Sequence, residues 1–116
     1  MSYIIDDDPV MASCIARACE TSDIQIFSDA ITAMDAIDTQ SLPELIFLDI
    51  LLIGPDGFTF LNELVSYTDT ARIPIVIVTS LDLHDQDLSA YNVVGILAKD
   101  QMYPKDIKSY VKKYAK

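Results

Sequence analysis

The order of apolar and polar residues along this chain predicts a regular succession of strands and helices. Apolar runs of strand length are separated by stretches in which the apolar positions recur at helical spacing. The third and fourth runs are almost continuously apolar, and the fourth is rich in β-branched residues, as is typical of central parallel strands. We predict strands at residues 3–6, 24–28, 44–50, 74–80 and 93–99.

Helix signals fill the gaps between these strands. Pro9 suits the first turn of a helix that Asp8 caps. Ser28 or Asp29 is the expected cap of the second helix, and Pro104 opens the last one. The predicted inward faces are Val10, Cys14, Ile15 and Ala18 in the first helix, Ala30, Ala33, Met34 and Ile37 in the second, Phe58, Leu61, Leu64 and Val65 in the third, and Ile107, Val111 and Tyr114 in the last, with a weaker helix around 84–91 before the fifth strand.

Strands that alternate with helices imply a doubly wound α/β fold, in which a five-stranded parallel sheet carries helices on both faces. In such folds ligands bind beyond the carboxyl ends of the strands. Polar residues stand at four of these predicted ends: Asp6 and Asp7 at the first, Asp49 at the third, Thr79 at the fourth and Lys99 at the fifth. We therefore expect these side chains to lie at one edge of the sheet.

Length and composition narrow the class of protein. With 116 residues, 51% of them hydrophobic, the chain is expected to form a single domain over residues 1–116. Its formal net charge of −10 disfavours direct binding to nucleic acid or to a membrane surface. No apolar run approaches the ~18 residues of a membrane span, and the expected location is the cytoplasm. Cys14 and Cys19 are expected to be buried free thiols.

The polar set has a chemical interpretation. Carboxylates that share one crevice repel each other unless a cation lies among them. Mg²⁺ prefers oxygen ligands, and it commonly combines one or two carboxylates with water and phosphate oxygens. An ammonium group neutralises developing negative charge, a hydroxyl orients an oxygen, and a carboxylate can attack phosphorus in line. These residue types at one edge of the sheet therefore predict a phosphoryl-transfer site that uses Mg²⁺.

Five short motifs follow one another along the chain: IIDDDP at 4–9, LIFLDI at 45–50, DGF at 56–58, IVIVTS at 75–80 and GILAK at 95–99. Asp49 and Thr79 are 30 residues apart, and Lys99 lies 20 residues further on. With these motifs and spacings the chain resembles the receiver domain of two-component response regulators from about residue 3 to its end. The resemblance implies the flavodoxin-like strand order 2-1-3-4-5 and a signalling domain rather than a classical enzyme.

The resemblance also implies how the phosphoryl group and the metal ion would be held. Asp49 would accept the phosphoryl group from a sensor histidine kinase or a histidine phosphotransfer protein. Asp7 would bind Mg²⁺ directly, and Asp6 would bind it mostly through water. Asp49 and the backbone carbonyl of Leu51 would complete the ligands that the protein supplies.

A conformational switch would follow phosphorylation. Thr79 would bond a phosphoryl oxygen and move toward it, while Lys99 would pair with the phosphoryl group or, in its absence, with Asp49. The face formed by the fourth helix, the fifth strand and the fifth helix would then signal to an output domain or a partner. Several positions depart from the family, and two of them bear on the switch: Ile96 stands where Tyr or Phe is usual, and Asp100 replaces the proline after the lysine. A degenerate receiver that only binds a partner is therefore an alternative.

A less favoured alternative is a small phosphohydrolase similar to the haloacid dehalogenases. These enzymes place an aspartate pair after the first strand, here Asp6 and Asp8. A later threonine and lysine would be Thr79 and Lys99. The usual Gly-Thr after the aspartate pair is Pro-Val here, and Asp49 would have no role. The aspartate that carries the phosphoryl group distinguishes the two: Asp49 in a receiver and Asp6 in a hydrolase.

Overall fold

The computed structural model describes residues 1–20, 23–52, 54, 56–83 and 86–115. Its centre is a sheet of five parallel strands in the order β2-β1-β3-β4-β5, which confirms the predicted doubly wound topology. Each strand lies within the range that the apolar pattern predicted or starts one residue before it. The strands are β1 Ser2–Ile5, β2 Ile24–Phe27, β3 Leu45–Leu48, β4 Ile75–Thr79 and β5 Val93–Ala98.

Within the described residues, two α-helices cover each face of the sheet. The helices are α1 Pro9–Cys19, α2 Ala30–Thr39, α3 Gly57–Val65 and α4 Pro104–Tyr114. Helices α1 and α4 pack against each other on one face, and α2 and α3 lie on the other. Alternate strand residues divide between the two cores, so that Ile4 and Phe47 face α1 and α4 whereas Ile5 and Leu48 face α2 and α3.

Aspartate side chains define the first turns of three helices. Asp8 accepts hydrogen bonds from the backbone N–H groups of Val10 and Met11, at 3.0 and 3.4 Å, which confirms it as the cap of α1. Asp29, rather than Ser28, caps α2. The cap of α3 is Asp56. In each case the carboxylate satisfies a backbone donor that the helix leaves free at its start.

The predicted helix around 84–91 is wrong over 86–91, where the chain forms turns; residues 84 and 85 lie outside the described part. Asp87 accepts a hydrogen bond from the backbone N–H of Ser89 at 3.0 Å, and this local turn competes with helix formation. Within 86–91, only Leu88 and Tyr91 pack against the core. It therefore lacks the continuous apolar stripe that stabilises a helix on a sheet.

The inward face of α1 also differs from the prediction. Val10 is 71% exposed and Cys14 is exposed, whereas Ala12 and Cys19 are buried together with the correctly predicted Ile15 and Ala18. The small residues on the observed stripe allow α1 to approach the sheet and α4 closely. Of the two thiols, only that of Cys19 is buried as expected, and burial raises its pKa to about 11.

Smaller deviations concern the third helix and the edge of the sheet. Val65 at the end of α3 is 37% exposed although Leu64 beside it is 2% exposed, so the predicted inward face of α3 extends only to Leu64. The edge strand β5 is only partly buried, whereas β1, β3 and β4 are buried throughout. No helix in the described residues combines the length and apolarity that a bilayer crossing requires.

Candidate functional site

The carboxyl ends of β1, β3 and β5 bring three charged side chains together. Asp6, Asp49 and Lys99 each follow the last residue of their strand, so the parallel register places them at the same edge. Two backbone hydrogen bonds extend the pairing to this edge. The N–H of Asp6 donates to the carbonyl oxygen of Phe27 at 3.0 Å, and the N–H of Asp49 donates to the carbonyl oxygen of Ile5 at 2.9 Å.

Lys99 connects two carboxylates. Its Nζ lies 3.0 Å from Oδ2 of Asp49, to which it donates a hydrogen bond, and 3.2 Å from Oδ2 of Asp6. Burial lowers the pKa of the ammonium group, but the hydrogen bond to Asp49 and the charges of both carboxylates outweigh burial and raise the pKa. Lys99 is therefore a permanent positive charge at this edge.

An acidic cluster surrounds this ammonium group. One carboxylate oxygen from each of Asp6, Asp7 and Asp49 lies within 4.8 Å of the other two. Oδ2 of Asp6 is fully buried and has Lys99 as an ion-pair partner but no well-formed hydrogen bond. Burial and the nearby charge of Asp49 raise the pKa of Asp6, although the Asp8 N–H and Lys99 act in the opposite direction.

Backbone N–H groups orient two of the carboxylates. The N–H of Asp8 donates to Oδ1 of Asp6 at 2.9 Å, and the N–H of Leu51 donates to Oδ1 of Asp49 at 3.1 Å. Both contacts join residues two apart in the chain, so each loop holds its carboxylate from its own backbone. The donor set consists of carboxylate oxygens, which suits a hard divalent cation such as Mg²⁺.

Thr79 ends β4 and is 1% exposed. Its Oγ1 accepts a hydrogen bond from the N–H of Leu81 at 3.2 Å, which is the common use of a threonine at a strand end. The register pairs Thr79 with Ala98, immediately before Lys99, so its hydroxyl belongs to the same edge of the sheet. The structure thus brings every residue of the predicted polar set to this edge.

Gly57 allows α3 to begin directly against the backbone that follows Asp49. In the sequence it stands out only as part of the DGF motif. Its N–H donates to the carbonyl of Ile50 at 2.9 Å, and α3 begins directly against the backbone that follows Asp49. A Cβ atom at position 57 would lie 2.8 Å from the Asp49 carbonyl oxygen and 2.7 Å from Cα of Ile50. The available signal was a glycine after the helix cap Asp56, where Ala would otherwise suit a helix better.

The departures from the family pattern lie beside the site. Ile96 is 47% exposed on β5. Asp100 is exposed in a short 3-10 turn, Lys99–Gln101, that leads from β5 toward α4. Asp8, which the hydrolase alternative requires as a catalytic partner of Asp6, is exposed and caps α1.

Comparison with known proteins identifies the class. Residues 3–112 match the family described as the response regulator receiver domain, and the chain belongs to this family. Receiver domains are phosphorylatable signalling domains of two-component systems that work with histidine kinases and output domains. The match spans β1 from its second residue, all of β2 to β5 and most of α4.

Two similar curated proteins are longer regulators. The transcriptional regulator RpaA of Synechocystis is 38% identical over 80 residues, which cover 67% of this chain and 33% of RpaA. The response regulator PleD of Caulobacter vibrioides is 41% identical over 56 residues, which cover 44% of this chain and 12% of PleD. The chain thus aligns with a third or less of the length of each relative.

Solved structures share the fold. The Mn²⁺-bound form of the response regulator Rcp1 has a TM-score of 0.78 and 24% identity, covering 96% of this chain and 91% of that one. The receiver domain of NtrX from Brucella abortus has a TM-score of 0.82 and 22% identity, covering 97% of this chain and 96% of that one. At this level of identity the likeness extends to the arrangement of strands and helices.

Proposed function

We propose that this chain is an active receiver domain that accepts a phosphoryl group onto Asp49 and switches conformation in response. The observation that carries the proposal is the contact of the Lys99 ammonium group with the carboxylates of Asp49 and Asp6, at 3.0 and 3.2 Å. A buried carboxylate that is held by an ammonium group is both oriented and available for attack in line.

In the proposed reaction, one carboxylate oxygen of Asp49 attacks the phosphorus of a phosphohistidine. The phosphorus–nitrogen bond breaks, and its electron pair stays with the imidazole, which leaves neutral because its other nitrogen carries the proton. The product is an acyl phosphate on Asp49. Lys99 then pairs with the phosphoryl oxygens, and the hydroxyl of Thr79 turns from the N–H of Leu81 toward one of them.

Mg²⁺ is the proposed cofactor. Asp6, Asp7 and Asp49 would hold it, with the backbone carbonyl of Leu51 as a further ligand. When bound, the ion would neutralise negative charge on the phosphoryl oxygens. The close approach of three carboxylates and the raised pKa of the buried Asp6 carboxyl support the proposal, because the single ammonium group of Lys99 does not balance three carboxylates. The description of the related Rcp1 structure as Mn²⁺-bound agrees with such a site.

The proposed donors are a sensor histidine kinase or a histidine phosphotransfer protein, and the proposed receiver of the signal is an output domain or a partner protein. We place both events in the cytoplasm, with residues 1–116 acting as one unit that does not itself bind nucleic acid. Because the predicted helix is replaced by turns over 86–91, the proposed signalling face consists of that connection, β5 and α4.

Intact-mass analysis after treatment with acetyl phosphate and Mg²⁺ tests the proposal. Wild-type protein is expected to gain the mass of one phosphoryl group, and Asp49→Ala is expected to gain none. A gain that persists in Asp49→Ala and is lost in Asp6→Ala would instead indicate the hydrolase chemistry. Wild-type protein that gains no mass, although it is folded, would indicate a degenerate receiver.

A further inference from the structure

A groove between α2 and α3 is lined by none of the residues of the proposed phosphorylation site and has no role in the proposed chemistry. Its volume is about 290 Å³, and its apolar lining includes Ile31, Met34 and Phe60. Phe60 is 1% exposed and forms the floor, whereas Ile31 is 60% exposed at the rim. At ~30 Å³ per water molecule the groove holds roughly ten waters. This is the lower limit for a small-molecule pocket, and it suits one anchoring side chain of a protein partner.

The rim of the groove is acidic. Asp35 and Asp38 on α2 and Glu63 on α3 line it. Neither helix contains a Lys, Arg or His residue. The salt bridges among the described residues involve none of these three carboxylates. The groove therefore presents negative charge around an apolar floor without an internal cation to balance it.

The position of these carboxylates is unfavourable for the isolated protein. Asp38 lies one residue before the end of α2, and Glu63 lies two residues before the end of α3. The carboxyl end of a helix carries partial negative charge, so a basic residue there stabilises the helix and an acidic one destabilises it. Neither helix has a basic residue in its last turn. A cationic group bound in the groove would reduce this unfavourable electrostatic interaction in both helices.

We propose that the α2–α3 groove binds a basic amphipathic segment of a partner protein. One bulky apolar side chain of that segment would contact Met34 and Phe60, and flanking Lys or Arg residues would pair with Asp35, Asp38 and Glu63. Charge complementarity selects this occupant over a second copy of the chain, because the net charge of −10 makes two copies repel each other. The proposal is independent of phosphorylation at Asp49.

A selection from a displayed library of random helical peptides tests the inference. Unphosphorylated wild-type protein is the bait, and the enriched peptides are expected to carry Lys or Arg three or four positions from a large apolar residue. The groove variant, Asp35→Asn with Glu63→Gln, is expected to bind a synthetic peptide from this selection at least tenfold more weakly than wild type. The control Asp100→Lys changes the net charge by the same two units in the turn after β5, outside the groove, and it should leave the affinity within about twofold.

NMR spectra of the labelled protein locate the contact. The selected peptide should shift the amide signals of α2 and α3. The groove variant should melt at or above the wild-type temperature, which excludes unfolding as the cause of its lost affinity. Enrichment of neutral or acidic peptides, equal losses in the groove and control variants, or shifts confined to other helices would overturn the inference. Concentration-dependent shifts in α2 and α3 without any peptide would assign the groove to a second copy instead.

Discussion

The carboxylate of Asp6 is buried next to a second carboxylate, that of Asp49. Its raised pKa predicts how the free energy of unfolding changes with pH. The ordinary carboxyl pKa of 3.8 applies to the unfolded chain, and burial and Asp49 raise the pKa in the folded protein. Below 3.8 the group is protonated in both states and contributes nothing. As the pH rises through the folded pKa, the unfolded state has released its proton and the folded state resists release, so stability is lost.

Asp6→Asn removes this penalty while an amide oxygen remains to accept the Asp8 N–H. In metal-free buffer we expect the variant to be more stable than wild type at neutral pH, with the difference shrinking to little or nothing below pH 3.8. Urea denaturation across this range measures it. A difference that does not change with pH would show that the carboxylate of Asp6 carries no net burial penalty.

Tyr3 provides a second test of a buried polar group. Its hydroxyl is fully buried and has no hydrogen-bond partner among the described residues, while its ring packs against Phe27 at a centroid distance of 4.8 Å. Tyr3→Phe keeps the ring and removes the unsatisfied group, so we expect a gain of about 1 kcal/mol in the free energy of unfolding. The control Tyr67→Phe alters a 58% exposed side chain and should change stability by less than about 0.5 kcal/mol.

Leu51 and Leu81 lie on the two loops beside the proposed phosphoryl site, and their N–H groups bond Asp49 and Thr79. Their side chains are 49% and 41% exposed, so apolar surface stands where an attacking water would need a polar group to orient it. We expect a long-lived acyl phosphate.

Replacement of Leu51 by Asn or of Leu81 by Glu should speed its hydrolysis about tenfold, equivalent to about 1.4 kcal/mol in the barrier. The measurement is loss of label after acetyl phosphate loading. Leu42→Asn, which alters an exposed leucine before β3, is the control. Wild-type decay as fast as that of the two loop variants would contradict the prediction.

At the scale of elements, α3 packs against the loop after β3, and this contact connects the start of a helix with the proposed phosphoacceptor Asp49. Gly57→Ala would place a Cβ atom within 2.8 Å of backbone atoms of residues 49 and 50, which cannot move as a flexible side chain can. We expect a loss of about 1–3 kcal/mol in the free energy of unfolding, measured with urea, together with slower phosphorylation of Asp49. Glu63→Ala on the same helix should not destabilise the protein, because its side chain is exposed.

The elements differ in how well their sequences predict them. Parallel strands buried on both faces must be apolar throughout, so β3 and β4 were found within one or two residues. The stretch 86–91 misled the prediction because Leu88 and Tyr91 have helical spacing but serve as isolated contacts of a turn. In α1 the helical spacing was predicted correctly, but the inward face was rotated about the helix axis. Alanines and Cys19 face the core in place of Val10 and Cys14. Spacing alone does not rank a small residue above a large one.

At the scale of the whole molecule, the position of the site was predictable because the topology of the sheet brings most of its residues to one edge. Residues that end parallel strands must meet at one edge, whichever helices connect them, and so Asp49 and Lys99 lie 50 residues apart in sequence yet 3.0 Å apart in space. The contribution of Gly57 and the orienting N–H groups of Asp8 and Leu51 were not predictable. They depend on the path of loops, which the apolar pattern does not determine.

If the proposed metal site is correct, the same topology should make the stability of the whole domain respond to Mg²⁺. The folded state gathers Asp6, Asp7 and Asp49 within 4.8 Å, whereas the unfolded chain separates Asp49 from the other two. Mg²⁺ should therefore bind the folded state preferentially and raise the melting temperature, with a stabilisation of about 2.7 kcal/mol at 100 times its Kd. Asp7→Asn should lose most of this response while it remains folded. Calorimetry with Mg²⁺, and with Na⁺ at equal ionic strength, separates specific binding from charge screening, and a wild-type melting temperature that responds equally to both salts would rule out the metal site.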